Sequence, residues 1–499
     1  MKKQLSSIGK HSSIYAISVI LKKGIGFLLI PLYTRYLSPY DYGVLELFSV
    51  TINITVILVS QGLVPAFFRS YCYDYADDEE KKREALSTVY YYLVAMAAMI
   101  FLLLSFSNKG VNDLLFKEGD NYQFLLILIF ISGFFSVSAY IPMQLLRALS
   151  KSAQFAAITI ASFVLNVVLK IYLIAFAGFG LKGAVYANLV ESGASAFILF
   201  LVIRKHLAPV FSRKILGEML RFGLPFVPSG LAIWILSVSD RYFLQHYSTT
   251  SELGLYSLAY KFSIILDVAI IQPFVKQWPV VYFPLSKEKN AKEIFSRFGT
   301  IFLAVITFAG LSVFVFSKPA IYLMAKKDFW GSFQAILPLV CAFIFSGLYF
   351  VVNIGVDIQK KTIYYPIVVG LAAIINIVLN FILIPRWAMI GAAYATAISY
   401  FFMLFLAYVI NQKVYPIQYE KFNIFKISLL FAIFAFAANF SMPDSITSSI
   451  LIGLIFVAGY AVAILFSGVF SFNELGKVKE IVKTKMSVTS FKNFMKSDK

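Results

Sequence analysis

Long apolar runs recur from one end of this 499-residue chain to the other, and they constrain its fold more than any other feature. Each run has about 18 or more residues, enough to cross roughly 30 Å of hydrocarbon as a helix. Mean hydropathy is +0.80. Only 14% of the residues are charged, against roughly 25% in soluble domains. We therefore predict an all-α integral membrane protein whose core forms by helix packing in lipid.

The runs predict about 14 transmembrane spans of the length that a membrane helix needs. A basic segment, MKKQLSSIGK, precedes the first run, as in a signal peptide. That run is too long for a signal peptide and has no small-residue cleavage site, so we expect it to be retained. The predicted span centres lie near residues 23, 55, 96, 133, 165, 193, 229, 265, 306, 342, 374, 399, 432 and 457.

The net charge of +19 could indicate a nucleic-acid partner, but the distribution of the charge argues against one. If the N-terminus is cytoplasmic, about 31 of the lysines and arginines fall in the termini and alternate loops, and about nine fall on the other side. This asymmetry predicts that both termini are cytoplasmic. The basic tail that follows the last span is expected to contact anionic membrane lipids.

The chain resembles itself at a period of about 211 residues, which indicates an internal repeat. The segment YLSPYDYGVLELFSV, from Tyr36, aligns with YSTTSELGLYSLAYK, from Tyr247, and pairs Gly43 with Gly254. Further pairs follow in the same order: Gln61 with Gln272, Tyr71 with Tyr282, Asn166 with Asn376, and Gly183 with Gly391. Spans 1, 2, 5 and 6 thereby match spans 7, 8, 11 and 12.

A shift of six spans is even, so the two halves have the same orientation in the membrane, which is one of the repeat geometries of secondary transporters. Two such lobes facing each other across a cleft are suited to alternating access. The predicted domains are an N-lobe at 1–208 with spans 1–6, a C-lobe at 209–412 with spans 7–12, an appended pair of spans at 413–470, and a basic cytoplasmic tail at 471–499.

Two adjacent lysines interrupt the first apolar run. Lys22 and Lys23 each cost roughly 2.5–3.5 kcal/mol at the centre of a membrane helix, so they require water, protein or an anionic ligand. We predict that they border a cavity that binds an anionic substrate; the alternative is pairing with a carboxylate such as Glu46. Lys261 and Lys170 are further candidates for substrate contact, and for both the alternative is snorkelling to the outer surface.

Carboxylates within the spans are candidates for coupling or gating. Glu46, Glu191 and Asp267 could each carry a proton or a cation, because burial makes protonation responsive. A structural partner on a neighbouring helix is the alternative for each. Asp240 and Arg241 end span 7 on the predicted outer side, where helix capping and loop contacts are the alternative to gating.

No cofactor is expected apart from a coupling H⁺ or Na⁺. The three histidines and two cysteines of the chain have no metal-ligand spacing. The sequence contains no phosphate-binding loop of the Walker type and no hydrolase motif. We therefore expect a protein that is not an enzyme.

Four segments carry a resemblance to a known family. They are IPLYTRYLSPYDYGVLELFS from Ile30, LRALSKSAQFA from Leu146, SVSDRYFLQHYSTTSELGLYSLAYKF from Ser237, and QWPVVYFP from Gln277. The chain resembles the Wzx-like polysaccharide flippases, which belong with the MATE exporters and the lipid II flippase to the MOP superfamily. The resemblance extends from residue 1 to about 410.

The resemblance implies that the chain moves an undecaprenyl-pyrophosphate-linked oligosaccharide, such as an O-antigen, capsule or exopolysaccharide unit, to the outer leaflet of the bacterial cytoplasmic membrane. It also implies a cationic cavity, membrane lipids as surroundings, and a polysaccharide polymerase with its chain-length machinery as candidate partners. A MATE-type multidrug exporter, a membrane-embedded polymerase or glycosyltransferase, and a lipid-binding scaffold are the alternatives.

Overall fold

The computed structural model describes residue 27 and residues 29–117 and 119–470. Within these ranges the chain is all-helical, with no strand, and the predicted fold class is confirmed. Eleven helices of the described ranges are long and apolar enough to cross a membrane, or 12 if one bent pair is counted as a span. Lys22, Lys23 and the basic tail lie outside the described residues.

The chain divides into two compact units, Met1–Ser257 and Leu258–Lys499. The boundary falls inside one long helix, α8, which is Thr250–Leu285. The predicted lobe boundaries at 208/209, 412/413 and 470/471 stay predictions. Before α8 the first unit contains α1 at Ile30–Tyr36, α2 at Pro39–Ser60, α3 at Glu79–Phe106, α4 at Gln123–Ala148, α5 at Ser152–Phe176, α6 at Gly180–Ile203, and α7 at Arg213–Gly223 and Phe226–Val238, bent by 45°.

The second unit continues α8 and ends with two helices outside the predicted repeat. The 51-residue element Tyr364–Val414 is interrupted at Ala388, where φ is 46° and ψ is −126°. A straight helix of that length would measure about 77 Å, more than twice the hydrocarbon thickness. Its two parts are therefore α11 and α12. The other helices are α9 at Ala291–Met324, α10 at Lys327–Ile358, α13 at Lys421–Ser441 and α14 at Ile446–Phe466.

Every predicted span centre from residue 55 onward falls within one of the helices α2 to α14. The first predicted span lies largely before the described residues, and only its end, α1, is described. The total of 14 spans therefore stays a prediction.

Hydrogen bonds between chain segments of the first unit follow the alternation of the loops. Near the start of α3, Arg83 donates from Nη2 to the carbonyl oxygen of Leu207, 2.9 Å away and just after α6. Between α3 and α4, Lys117 Nζ donates to the carbonyl oxygen of Ser248, 2.6 Å away and just before α8. Each bond joins two loops that are separated by four helices. Loops separated by an even number of spans lie on the same side of a membrane, so such bonds are compatible with a chain that crosses it repeatedly.

The second unit shows the same alternation. Near the start of α9, Arg297 contacts Glu420, which precedes α13, at 3.0 Å and the carbonyl oxygen of Val469, which follows α14, at 2.7 Å. Toward the other end of α9, Lys318 Nζ donates to the carbonyl oxygen of Met442, 2.7 Å away and just after α13. The two ends of α9 thus contact different sets of loops.

Two glycines that the sequence repeat pairs have equivalent packing. Gly183 lies in the first turn of α6, and a Cβ there would lie 2.9 Å from the carbonyl oxygen of Leu173 in α5. Gly391 begins α12, and a Cβ there would overlap the carbonyl oxygen of Leu383 in α11. In both halves the turn between the two helices is therefore so tight that only glycine fits.

Replacement of Gly391 by alanine should destabilise the protein. The new Cβ would force α11 and α12 apart, and overpacking of this kind typically costs about 1–3 kcal/mol. Gly370→Ala in α11 is the matched control, because nothing lies within 4 Å of a Cβ there. Alanine should be neutral or slightly stabilising at that position. Thermal unfolding of the two variants in detergent measures the difference in stability. Equal melting temperatures would contradict the tight packing inferred at Gly391.

Candidate functional site

A pair of glycines lets α2 and the start of α8 pass each other in backbone contact. A Cβ on Gly43 would overlap the carbonyl oxygen of Thr250, and a Cβ on Gly254 would overlap that of Pro39. Both overlaps are far inside 3.0 Å, below which real Cβ contacts essentially do not occur. Small residues allow such close approach between membrane helices. The contact is reciprocal, since each glycine faces a carbonyl four residues before the other.

The local sequence fixes where this crossing begins. Ser38 caps α2: its hydroxyl accepts from the backbone N–H of Asp41 at 3.1 Å, and Asp41 accepts from the backbone N–H of Ser38 at 3.2 Å. Pro39 occupies the first helical position, where its missing N–H costs nothing. The first turn of α2 is thus held rigidly, with the Pro39 carbonyl directed along the helix toward Gly43.

A buried charge network lies one turn beyond the crossing. Arg241 donates from Nη1 to Asp240 Oδ1 at 2.6 Å and to the carbonyl oxygen of Ser237 at 2.9 Å. The other oxygen of Asp240 accepts from the hydroxyl of Tyr256 in α8. Glu46 of α2 approaches the guanidinium, with Oε1 3.7 Å from Nε. The network therefore ties the end of α7 to both α2 and α8.

Burial makes this network sensitive to the loss of any one charge. Asp240 and Arg241 are each only 1% exposed. Taking both ions out of water is expensive, and their attraction repays that cost only while the geometry is intact. The guanidinium also lies 5.1 Å from the centre of the Tyr256 ring, a cation–π contact. Removal of one partner would leave an uncompensated charge in the interior.

The structure therefore brings together three of the residues predicted to act in coupling or gating. Glu46 was predicted to act in coupling, with a structural partner on a neighbouring helix or a lysine of the first span as the alternative, and it lies against Arg241. Asp240 and Arg241 were predicted to act in gating, with helix capping and loop contacts as the alternative. Arg241 donates to the carbonyl oxygen of Ser237 at the end of α7, and the pair also contacts α2 and α8. A gating role for these residues stays a prediction.

Glu191 lies in a second polar site, a cavity of about 500 Å³ inside the first unit. Its carboxylate accepts from the hydroxyl of Ser195 at 2.9 Å, and that hydroxyl is 2.6 Å from the hydroxyl of Ser162. The cavity is lined by residues of α2, α4 and α6: Leu45, Phe48, Ser49, Ile52, Asn53, Ile129, Ser132, Gly133, Ser136, Asn188, Glu191 and Ser192. Glu191 is the one ionisable side chain among these described lining residues.

Lys170 is a buried cation at the end of the α-helical part of α5. It is 8% exposed, and its Nζ lies 5.6 Å from the centre of the Tyr33 ring in α1. Within the described ranges no carboxylate lies at ion-pair distance from it. A buried lysine beside an aromatic ring has lost its hydration, so it gains more from contact with an anion than a lysine that reaches water. Substrate contact by Lys170 stays a prediction.

The remaining predicted residues occupy separate positions. Lys261 is half-buried in α8, and Asp267, farther along the same helix, accepts from Nε2 of Gln272 at 3.2 Å. Asp267 thus has a local partner, and its coupling role stays a prediction. Lys22 and Lys23 lie outside the described residues. Across the described ranges, no group of three or more histidine, cysteine or acidic side chains is placed to hold a metal ion.

Several contacts of these sites could not be predicted from the sequence. Gly43 and Gly254 were visible as a repeat pair, but nothing in their spacing shows that they touch. Tyr256 resembles any other interfacial tyrosine until α8 is placed beside α7. In the second unit, Asp357 accepts from the hydroxyl of Tyr282 at 2.6 Å and from that of Tyr365 at 2.8 Å. Only the folded chain brings these three side chains together.

Replacement of Arg241 by methionine should destabilise the protein strongly, by about 3–5 kcal/mol, because Asp240 then stays buried without its cation. Adding Asp240→Asn should restore much of the loss, since the amide oxygen still accepts from Tyr256 without a negative charge. The exposed Arg386 provides the matched control, Arg386→Met. Thermal unfolding in detergent compares the four proteins. A double variant no more stable than Arg241→Met would contradict the buried-pair explanation.

Comparison with known proteins places this architecture in a family. The sequence profile of the family described as "Polysaccharide biosynthesis protein" matches residues 32–325, more than half of the chain. This match confirms the resemblance seen in the sequence. A comparison with curated proteins finds no match.

Solved structures share the fold at low sequence identity. The lipid II flippase MurJ in an inward closed conformation aligns with a TM-score of 0.69 at 17% identity, covering 90% of this chain and 97% of that one. A multidrug resistance MATE family transporter of the MOP superfamily, inward-facing, gives 0.64 at 15%, covering 79% and 94%. The MATE transporter VcmN of Vibrio cholerae in its bent form gives 0.53 at 15%, covering 82% and 98%.

At these identities the solved structures establish the fold alone, whereas the sequence profile establishes the family. Both agree with a multi-pass helical membrane protein. The chain is a member of the polysaccharide biosynthesis protein family, with the fold of the MOP superfamily.

Proposed function

We propose that this protein flips an undecaprenyl-pyrophosphate-linked oligosaccharide from the cytoplasmic to the outer leaflet of the bacterial cytoplasmic membrane. The observation that carries the proposal is the family match over residues 32–325, in a chain with the fold of transporters that include a lipid II flippase. The oligosaccharide would be a repeat unit of O-antigen, capsule or exopolysaccharide. Both termini would be cytoplasmic.

The cationic side chains would bind the pyrophosphate. Lys22 and Lys23 lie in the middle of an apolar run, where a doubly charged anion would offset their cost by charge pairing in a low-dielectric cleft. The burial of Lys170 supports the same assignment, because this cation has an aromatic ring but no described carboxylate beside it. Lys261 is a further candidate.

The crossing of α2 and α8 would act as a gate on the outer side. Alternating access needs a contact that closes fully and separates again. Two glycines in backbone contact have no interlocking side chains, so the helices can separate there without repacking. The network of Arg241, Asp240 and Glu46 would set the closed register, since charges are satisfied only in one arrangement.

The energy for transport would come from the gradient of H⁺ or Na⁺ as the coupling ion. Glu191 is suited to this role, because it is a carboxylate in a polar cavity within the first unit. Glu46 and Asp267 are further candidates. We propose no chemical reaction for the chain itself, and we expect a polysaccharide polymerase and its chain-length machinery to use the delivered substrate.

Export of drugs is a second candidate function, because a MATE transporter shares the fold at a TM-score of 0.64. Exporters of cationic drugs would be expected to use an acidic cavity, whereas the lysines in this chain favour an anion. Deletion of the gene would sensitise cells to drugs under this alternative. A membrane-embedded polymerase or glycosyltransferase would leave the position of the lipid-linked oligosaccharide unchanged and block its polymerisation.

Deletion of the gene should leave labelled lipid-linked oligosaccharide in the inner leaflet, as measured by its accessibility to a membrane-impermeant lectin. The pair Lys22→Ala and Lys23→Ala should reproduce this loss, because the pyrophosphate loses its cations. The pair Lys477→Ala and Lys479→Ala removes two lysines from the basic tail and should deliver substrate normally. Normal delivery after deletion would contradict the proposed function, and normal delivery by the Lys22/Lys23 variant would make that pair structural.

The gate predicts a specific effect of Gly254→Ala. The new Cβ overlaps the Pro39 carbonyl, so α2 and α8 can no longer close. We expect flipping in proteoliposomes to fall by a factor between about 5 and 150, which corresponds to a penalty of about 1–3 kcal/mol on the closed state. Gly217→Ala is the matched control, with nothing within 4 Å of its Cβ. A folded Gly254→Ala protein that flips at the rate of the control would rule out the gate.

A further inference from the structure

A cavity of about 590 Å³ opens between the short helices Asn108–Leu115 and Asp240–Tyr247 of the first unit. Its volume lies within the range of roughly 300–1,000 Å³ typical of small-molecule sites. The positive-inside pattern predicts that both helices are at the outer side. The lining residues are Asp113, Leu114, Leu115, Phe116, Lys117, Tyr242, Gln245 and His246.

Gln245 lines this cavity and carries a buried hydrogen-bond donor. The side chain is 5% exposed, and its Oε1 accepts from the hydroxyl of Thr250 at 2.9 Å. That bond fixes the orientation of the amide. Nε2 is buried, and no partner for it exists among the described residues. An unsatisfied buried amide is costly, so a ligand that accepts a hydrogen bond here would remove an existing penalty.

Asp113 and two aromatic rings supply the complementary surface. The Asp113 carboxylate is exposed, and the amide of Asn112 lies 3.5 Å away, at the limit of a hydrogen bond. The hydroxyl of Tyr242 is 3.0 Å from the Thr51 hydroxyl, which leaves the ring as the part of Tyr242 available to a ligand. Phe116 adds a second, buried ring.

Among the described lining residues, the charge of the cavity is close to balanced. The carboxylate of Asp113 opposes the ammonium of Lys117, and Lys117 already donates to the carbonyl oxygen of Ser248 at 2.6 Å. A pyrophosphate would meet one engaged cation and one repelling anion. A cationic drug would be attracted by Asp113 and repelled by Lys117. The cavity therefore favours a neutral ligand with many hydrogen-bonding groups.

We propose that this cavity is a saccharide-binding site on the outer side of the protein. A pyranose ring presents hydroxyls that both donate and accept, which suits Asp113 and the Gln245 amide, and an apolar C–H face, which packs on an aromatic ring. The ligand would be the oligosaccharide part of the substrate after it has crossed. This assignment rests on the proposed function, because that function supplies a glycan at this side.

The position of Gln245 connects the site to the gate. Its Oε1 bonds the side chain of Thr250, whose carbonyl faces Gly43 in the crossing of α2 and α8. A glycan bound at Gln245 would therefore contact a side chain that is hydrogen-bonded to Thr250, a residue of the helix crossing.

Binding to the purified full-length protein in lipid nanodiscs tests the proposal. The probe is the oligosaccharide released by mild acid from the lipid-linked pool of the host cell, and saturation-transfer NMR detects its binding. Gln245→Glu keeps the oxygen that Thr250 needs and removes the donor. Asp113→Asn removes the charge on an exposed residue. Asp328→Asn, the same change on an exposed residue at the start of α10 in the second unit, is the matched control.

We expect the unmodified protein and Asp328→Asn to bind the probe equally, and each cavity variant to raise the Kd about tenfold, as the loss of one hydrogen bond to a charged or buried group predicts. No binding by the unmodified protein, or equal binding by all the proteins, would overturn the site. If Gln245→Glu does not fold, the exposed Asp113→Asn decides the result.

A flipping assay on the same preparations separates this proposal from the proposed function. Flipping without saccharide binding would remove the site and leave the flippase intact. Saccharide binding that the cavity variants weaken, in a protein that flips nothing, would leave the site and remove the flippase function.

Discussion

Hydrocarbon offers no hydrogen-bond partner to a polypeptide, and the features of this protein follow from that constraint. The backbone must satisfy its own polar groups, so the described chain is helical throughout its spans. Lipid tails are as apolar as leucine, so helices gain little from hydrophobic contact with one another and associate by close packing. Glycine at Gly43, Gly254, Gly183 and Gly391 permits that packing at the points where two backbones meet.

The same constraint explains the state of the charges. Arg241 and Asp240 are almost fully buried, and they bond each other, a backbone carbonyl and Tyr256. A buried ion pair adds little net stability compared with apolar residues, but it strongly penalises arrangements in which the charges separate. Such a pair is suited to specifying one register of α2, α7 and α8, as a transporter that alternates between states would need.

The proposed sites divide the substrate by its chemistry. Lysines within apolar segments suit the pyrophosphate. The balanced cavity beside Gln245 suits a neutral sugar. Glu191, alone as an ionisable group among the described residues of its cavity, suits a small cation or proton. In this scheme the anion, the glycan and the coupling ion each have a separate place.

The sequence by itself determined the membrane class, the positions of the spans from residue 55 onward, the repeat and the family resemblance, because these depend on local hydropathy and on matches along the chain. It also identified Glu46, Asp240 and Arg241 as functional candidates, because charge in an apolar run is visible without a fold. Only the tertiary structure decided that these three form one network, that α2 and α8 cross at Gly43 and Gly254, and that Gln245 lines a cavity. Such contacts join residues some 200 positions apart, and their energies depend on distances of a few ångströms that no local pattern encodes.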